Sequence, residues 1–127
     1  MREIIIIGIG GFTGAVLRYW VSGWIQQWSR SVTFPFGTLG VNVIGCFLIG
    51  LLAYLVEVRG VFTAEMRLFL FIGFLGAFTT YSTFSSETLA LIRDAESAFA
   101  LLNVGMHLFW GLCAVWLGRS LAQAVWR

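Results

Sequence analysis

From Thr79 to Thr88 every residue except Phe84 and Glu87 carries a hydroxyl, and this run follows directly on Gly73-Phe74-Leu75-Gly76-Ala77-Phe78. The whole stretch lies inside a segment apolar enough to cross a bilayer. Hydroxyls surrounded by lipid are costly unless they face one another, water or an ion. The residue types here therefore suit coordination of something charged, with hydroxyl and amide donors for an anion and backbone carbonyls for a cation. Two further polar faces accompany it. Thr38, Asn42 and Gly45 fall at i, i+4 and i+7, placing a hydroxyl, an amide and a gap on one helix face. Asn103, His107 and Gly111 form a second such face. An asparagine in a membrane helix either bonds a neighbouring helix or contacts a permeating species, and spacing alone leaves both open for Asn42. His107 taken alone is more often a packed, hydrogen-bonded residue than a ligand. Phe78, Tyr81 and Phe84 recur every three residues; such stripes usually pack, but ring edges carry the positive end of the quadrupole and can meet a small anion.

These residues need helices to position them, and the composition says in what solvent. With 59% hydrophobic and only 11% charged residues and a mean hydropathy of +0.89, the chain is that of an integral membrane protein. Uncharged runs at Ser31 to Val56, Leu68 to Ser86 and Ser97 to Gly118 each suit a helix of ~20 residues across a ~30 Å core. Ile4 to Leu17 is shorter, so the first span continues past Arg18 to about Ile25, with that arginine snorkelling or facing a wet cavity. Four helices are predicted near 4–27, 36–57, 65–92 and 98–125, forming a single four-helix transmembrane domain over 1–127. The opening apolar run lacks a small-residue cleavage site and reads as a retained helix. Trp20, Trp24 and Trp28 read as an interfacial anchor, and the Gly10-x-x-x-Gly14 pair as close helix packing.

A continuous helix over 65–92 would be ~42 Å long, so it has residues to spare for a break near Gly76 to Tyr81. Unwinding there frees carbonyls that need a partner at membrane depth. Close packing accounts for Gly73 and Gly76 but leaves the hydroxyl run unexplained. Cys46 and Cys113 lie deep in apolar spans and are assigned no chemistry. No paired carboxylates, Cys-x-x-Cys pattern or phosphate-cradling loop is present, which argues against an enzyme, and nothing points to nucleic acid.

All eight cations are arginines. Arg2, Arg59, Arg67, Arg119 and Arg127 fall toward one side, and Arg18, Arg30 and Arg93 toward the other. So small a bias permits insertion both ways up, which with four short helices points to an antiparallel homodimer.

Gly37-Thr38-Leu39-x-Val41-Asn42, then Gly73-Phe74-Leu75-Gly76 and Thr79-Thr80-x-Ser82-Thr83-Phe84-Ser85-x-Glu87, resembles the Fluc (CrcB-type) bacterial fluoride channels over essentially the whole chain. The resemblance implies an all-α, antiparallel dual-topology homodimer in the bacterial plasma (inner) membrane, with a broken third helix and two fluoride pores. It implies that Asn42 donates its amide to fluoride and that Phe84 lines an aromatic box. Thr38, Ser82, Thr83, Asn103 and His107 would contribute to a polar track, and Arg18 would sit in an aqueous vestibule. A structural Na+ at the dimer centre would be bound by the carbonyls of Gly76 and Thr79. Glu87 matches the motif without an assigned role. Three features depart from the family pattern. Tyr81 replaces the first phenylalanine of the box, Ala77-Phe78 replaces a more usual Gly-Leu pair, and Gly111 stands where serine is common.

A passive anion pathway lets membrane potential expel fluoride that enters as neutral hydrogen fluoride and dissociates inside. The competing class, a small dual-topology multidrug exporter, needs a titratable carboxylate within the first span, where only Arg18 stands between Glu3 and its far end. A non-transporting assembly subunit would fit the glycines but not the hydroxyls.

Overall fold

The computed structural model describes residues 1–126, and these contain four helices long and apolar enough to cross a membrane. Helix α1 runs Arg2–Ser29 and α2 Phe36–Arg59. The third span is segmented into α3 (Ala64–Arg67), a π-helical stretch (Leu68–Leu75), α4 (Gly76–Phe78) and α5 (Tyr81–Arg93). Helix α6 is Ser97–Val125. The predicted bounds hold to within two residues at each end of the first, second and fourth spans. The π-helical stretch is an addition that hydropathy does not encode.

Local chemistry sets the ends. Thr63 accepts a hydrogen bond from Met66 N–H and so caps α3, while Gly60 takes a left-handed φ of 61° that closes α2. Gln26 ties the α1–α2 corner: its amide donates to the Ser31 and Phe34 carbonyls at 2.7 and 3.1 Å and its oxygen accepts from Gly37 N–H at 2.9 Å.

Glycines decide which helices touch. A Cβ on Gly10 would lie 2.6 Å from the Phe69 carbonyl, one on Gly14 would collide with the Phe74 carbonyl, and one on Gly73 would meet Ile7 O at 2.7 Å. The Gly10-x-x-x-Gly14 packing expected from the sequence is thus the seam between α1 and the first half of the third span. Gly76, by contrast, is exposed and near only its own helix, so close packing does not explain it. A second seam joins α2 to α6, where Gly50 meets the Val115 carbonyl and Gly118 the Phe47 carbonyl. The first half of the third span packs on α1, whereas α5 packs on α6. The break lets one span change neighbours.

Arg2 pairs with Glu65 at 3.0 Å and Arg119 with Glu57 at 2.8 Å, which places the start of α1, the end of α2, the start of the third span and the end of α6 on one side. Arg59 and Arg67 lie at that same end, and Arg30 and Arg93 at the opposite one. Arg127 lies outside the described residues. Both ion pairs are solvent-facing and contribute at most about 1 kcal/mol each. Trp20, Trp24 and Trp28 are all exposed on the last turns of α1, as an interfacial anchor requires.

Candidate functional site

The break falls at Thr79 and Thr80, which are extended, with φ and ψ of −91° and 157° and of −152° and 111°. Two residues suffice because both neighbours on the backbone ladder are diverted. Thr80 N–H, which an unbroken helix would give to the Gly76 carbonyl, donates instead to Asn42 Oδ1 at 2.8 Å. Thr83 N–H, which would otherwise go to the Thr79 carbonyl, donates to Thr80 Oγ1 at 3.2 Å. The carbonyls of Gly76 and Thr79 therefore lose their helical donors. Thr79 itself is held from behind, its N–H and hydroxyl both donating to the Leu75 carbonyl at 3.0 and 2.9 Å. Its methyl seats against Gly45, where any Cβ would overlap it.

Asn42 is the pin of this arrangement. Besides accepting from Thr80 N–H, its Nδ2 donates to the Thr80 carbonyl at 3.1 Å. Its acceptor and one amide proton are thereby spent. The second amide proton remains for another acceptor, since a primary amide has two. The two readings that spacing left open are compatible in one side chain.

A cleft of about 400 Å³ opens beside the break, lined among others by Asn42, Thr80, Tyr81, Phe84 and His107. Among the described residues no charged side chain lines it. Phe84 is half-buried and its ring lies 5.6 Å from Tyr81 and 4.3 Å from His107, centroid to centroid. Tyr81 is 80% exposed on the open side of the cleft. Phe78 does not share this aromatic face, contrary to the spacing of three. It is buried, stacked on Phe74 at 5.8 Å with its plane 5° from parallel. The extended residues between Phe78 and Tyr81 break the helical phase on which that stripe rests.

The hydroxyls and amides nearest the cleft sort into three groups. Ser82 and Thr83 sit at the start of α5 around the Thr80 hydroxyl, which donates to Thr83 Oγ1 at 2.9 Å and lies 3.3 Å from Ser82 Oγ. Ser85 and Thr88 donate back to the Tyr81 and Phe84 carbonyls, a local solution for hydroxyls in an apolar helix. Asn103 is wholly buried behind the cleft, giving Nδ2 to Thr88 Oγ1 at 2.9 Å, and its backbone carbonyl is 2.9 Å from His107 Nδ1. Gly111 is buried, with Cys46 Sγ 3.6 Å from where a side chain would begin.

Thr38 does not line this cleft. Its hydroxyl donates to Glu87 Oε1 at 2.7 Å, and both residues line a separate cavity of about 310 Å³ with Ser22, Gln26 and Thr33. Helical spacing placed Thr38 and Asn42 on one face correctly, and both bond the third span, Thr38 at Glu87 and Asn42 at Thr80, but they line different cavities. The Thr38–Glu87 pair joins residues 49 apart and had no signal in the sequence. Arg18 is half-buried on α1, one turn before Ser22, without an ion pair among the described residues. Neither is a cluster of three or more His, Cys, Asp or Glu side chains present there to hold a metal ion. The oxygens available to a cation at the break are neutral ones, from backbone carbonyls and from the threonine and asparagine side chains.

Comparison with known proteins finds relatives along nearly the whole chain. The chain is 48% identical over 119 residues to "Fluoride-specific ion channel FluC 1" of Methanosarcina acetivorans, covering 94% of this chain and 89% of that protein. It is 44% identical to "Fluoride-specific ion channel FluC" of Oceanobacillus iheyensis, covering 96% and 92%. Against the protein of the same name from Methanocaldococcus jannaschii it is 42% identical, covering 100% and 99%. Residues 5–119 match the family described as CrcB-like protein, Camphor Resistance (CrcB), and the chain belongs to that family.

Proposed function

We propose that this multi-pass membrane protein is a passive fluoride-selective channel, conducting as an antiparallel homodimer. The observation that carries the reading is the half-spent amide of Asn42, fixed at a helix break and facing an uncharged cleft edged by Phe84 and Tyr81. Fluoride is small and strongly hydrated, so a site for it has to replace water by donors that are already oriented. A pinned amide N–H and polarised ring edges do so without a fixed cation that would retain the ion. The full-length relatives named as fluoride-specific channels support the same ion.

The dimer reading rests on the open cleft, on the outward Tyr81, and on arginines divided between both ends of the bundle. In such a dimer Asn42, Tyr81, Phe84, Ser82, Thr83 and His107 border the ion path. Thr38 and Arg18 lie toward its aqueous mouth, and Asn103 supports it from behind. The freed Gly76 and Thr79 carbonyls fit a structural Na+, since unwound backbone at membrane depth is a recurring source of oxygen ligands for that ion. Such an ion would satisfy the broken helix and brace the two copies. The multidrug-exporter alternative lacks support, as α1 carries no acid after Glu3.

The deciding experiment is purified protein in liposomes under an applied potential. Fluoride release without chloride release is expected. Equal release of both, or release of neither, refutes the reading.

A further inference from the structure

Phe84 can present a ring edge to an ion only if the ring is prevented from turning. The quadrupole is directional, and a rotated ring offers its negative face instead. Helix α5 alone does not fix it: Phe84 lies on a half-open surface, and its neighbour Tyr81 is too exposed to serve as a wall.

The residues behind it form a closed circuit. The Phe84 carbonyl accepts from Thr88 Oγ1 at 2.8 Å, and that hydroxyl accepts from Asn103 Nδ2 at 2.9 Å. The Asn103 carbonyl meets His107 Nδ1 at 2.9 Å, and the His107 ring returns to the Phe84 ring at 4.3 Å and 43°. Asn103, wholly buried, joins both arms. A backbone carbonyl only accepts, so Nδ1 carries the proton. That bond sets the orientation of the imidazole, and the imidazole in turn bounds the phenyl ring. Nε2 is buried and makes no hydrogen bond to another described residue, so within the chain the Nδ1 bond alone sets the ring's orientation.

We infer that His107 is a positioning residue for the aromatic edge of the pathway. Its Nδ1–H tautomer, anchored on Asn103, locks the Phe84 ring in the orientation that meets the anion. This rests on the fluoride-channel reading above, yet its structural half is measurable without any ion flux.

The chain has one histidine, so 15N-histidine NMR reports on His107 alone. The unmodified protein should show a neutral ring protonated at Nδ1. With 3-fluorophenylalanine at position 84, whose fluorine lies off the axis about which the ring turns, the parent should give a narrow fluorine signal, and His107→Leu should broaden or split it. Loss of the ring's fixed edge should also slow fluoride efflux about three- to tenfold. Should His107→Leu fail to assemble, His107→Phe replaces it, keeping a ring against Phe84 while offering Asn103 no N–H. An Nε2-protonated ring, an unchanged fluorine line, or efflux unaltered within twofold overturns the inference. A parent that releases no fluoride, with both spectra as expected, overturns the channel reading instead.

Discussion

Asn42→Asp separates the structural and the electrostatic duties of one side chain. The carboxylate retains the 2.8 Å acceptor for Thr80 N–H but loses the donor, setting two acceptor oxygens against each other where Nδ2 now meets the Thr80 carbonyl at 3.1 Å. One lost hydrogen bond costs about 0.5–1.5 kcal/mol, and the surviving bond to a charged acceptor is stronger and offsets part of it. Asn42 is half-buried on the open cleft, where water can solvate the new charge, so the fold should hold. The effect on an anion is larger. A unit negative charge about 5 Å from a bound anion, at an effective dielectric constant of ~20, opposes it by roughly 3 kcal/mol. Conduction should fall by about two orders of magnitude. The assay is fluoride efflux from liposomes, read with a fluoride electrode, alongside size-exclusion chromatography of the variant. An eluted dimer with efflux within tenfold of the parent would show that Asn42 only packs helices and that the anion passes elsewhere.

Phe84→Ile keeps an apolar side chain of similar volume and should leave stability within about 1.5 kcal/mol while lowering fluoride efflux about tenfold. Tyr81→Phe removes an exposed hydroxyl that bonds no other side chain or backbone group among the described residues and should conduct within about twofold of the parent; a larger loss in efflux would mean that the phenol donates to the ion. In a background with Cys46 and Cys113 replaced, Ser31→Cys should be modified by an impermeant thiol reagent from both faces of the membrane, each reaching part of the population. Labelling from one face alone is incompatible with the antiparallel dimer. Gly14→Ala pushes a methyl into the Phe74 carbonyl and should destabilise the protein by about 1–3 kcal/mol, whereas Gly11→Ala enters open space on the same helix and should leave thermal unfolding nearly unchanged.

The sequence by itself determined the solvent, the four spans, the glycine seam on α1 and the place where the third helix breaks. Those features follow from local chemistry: apolar run length measures a bilayer, and a Thr-Thr pair after Gly76 offers hydroxyls that compete with the helical ladder. It also marked Asn42, Phe84 and His107 as the residues to watch. Only the tertiary structure decided what each of them touches. Periodicity assumes an unbroken helix, so it joined Phe78 to Tyr81 and Phe84 across a break that sends Phe78 into the core. It placed Thr38 on the face of Asn42, but not the partner Glu87 that draws Thr38 into a separate cavity. The clamp of Asn42 on Thr80 and the contact of His107 with Phe84 join residues far apart in the chain or on different helices. Such pairings are set by which helices the small residues let approach, and that is fixed only when all four spans pack at once.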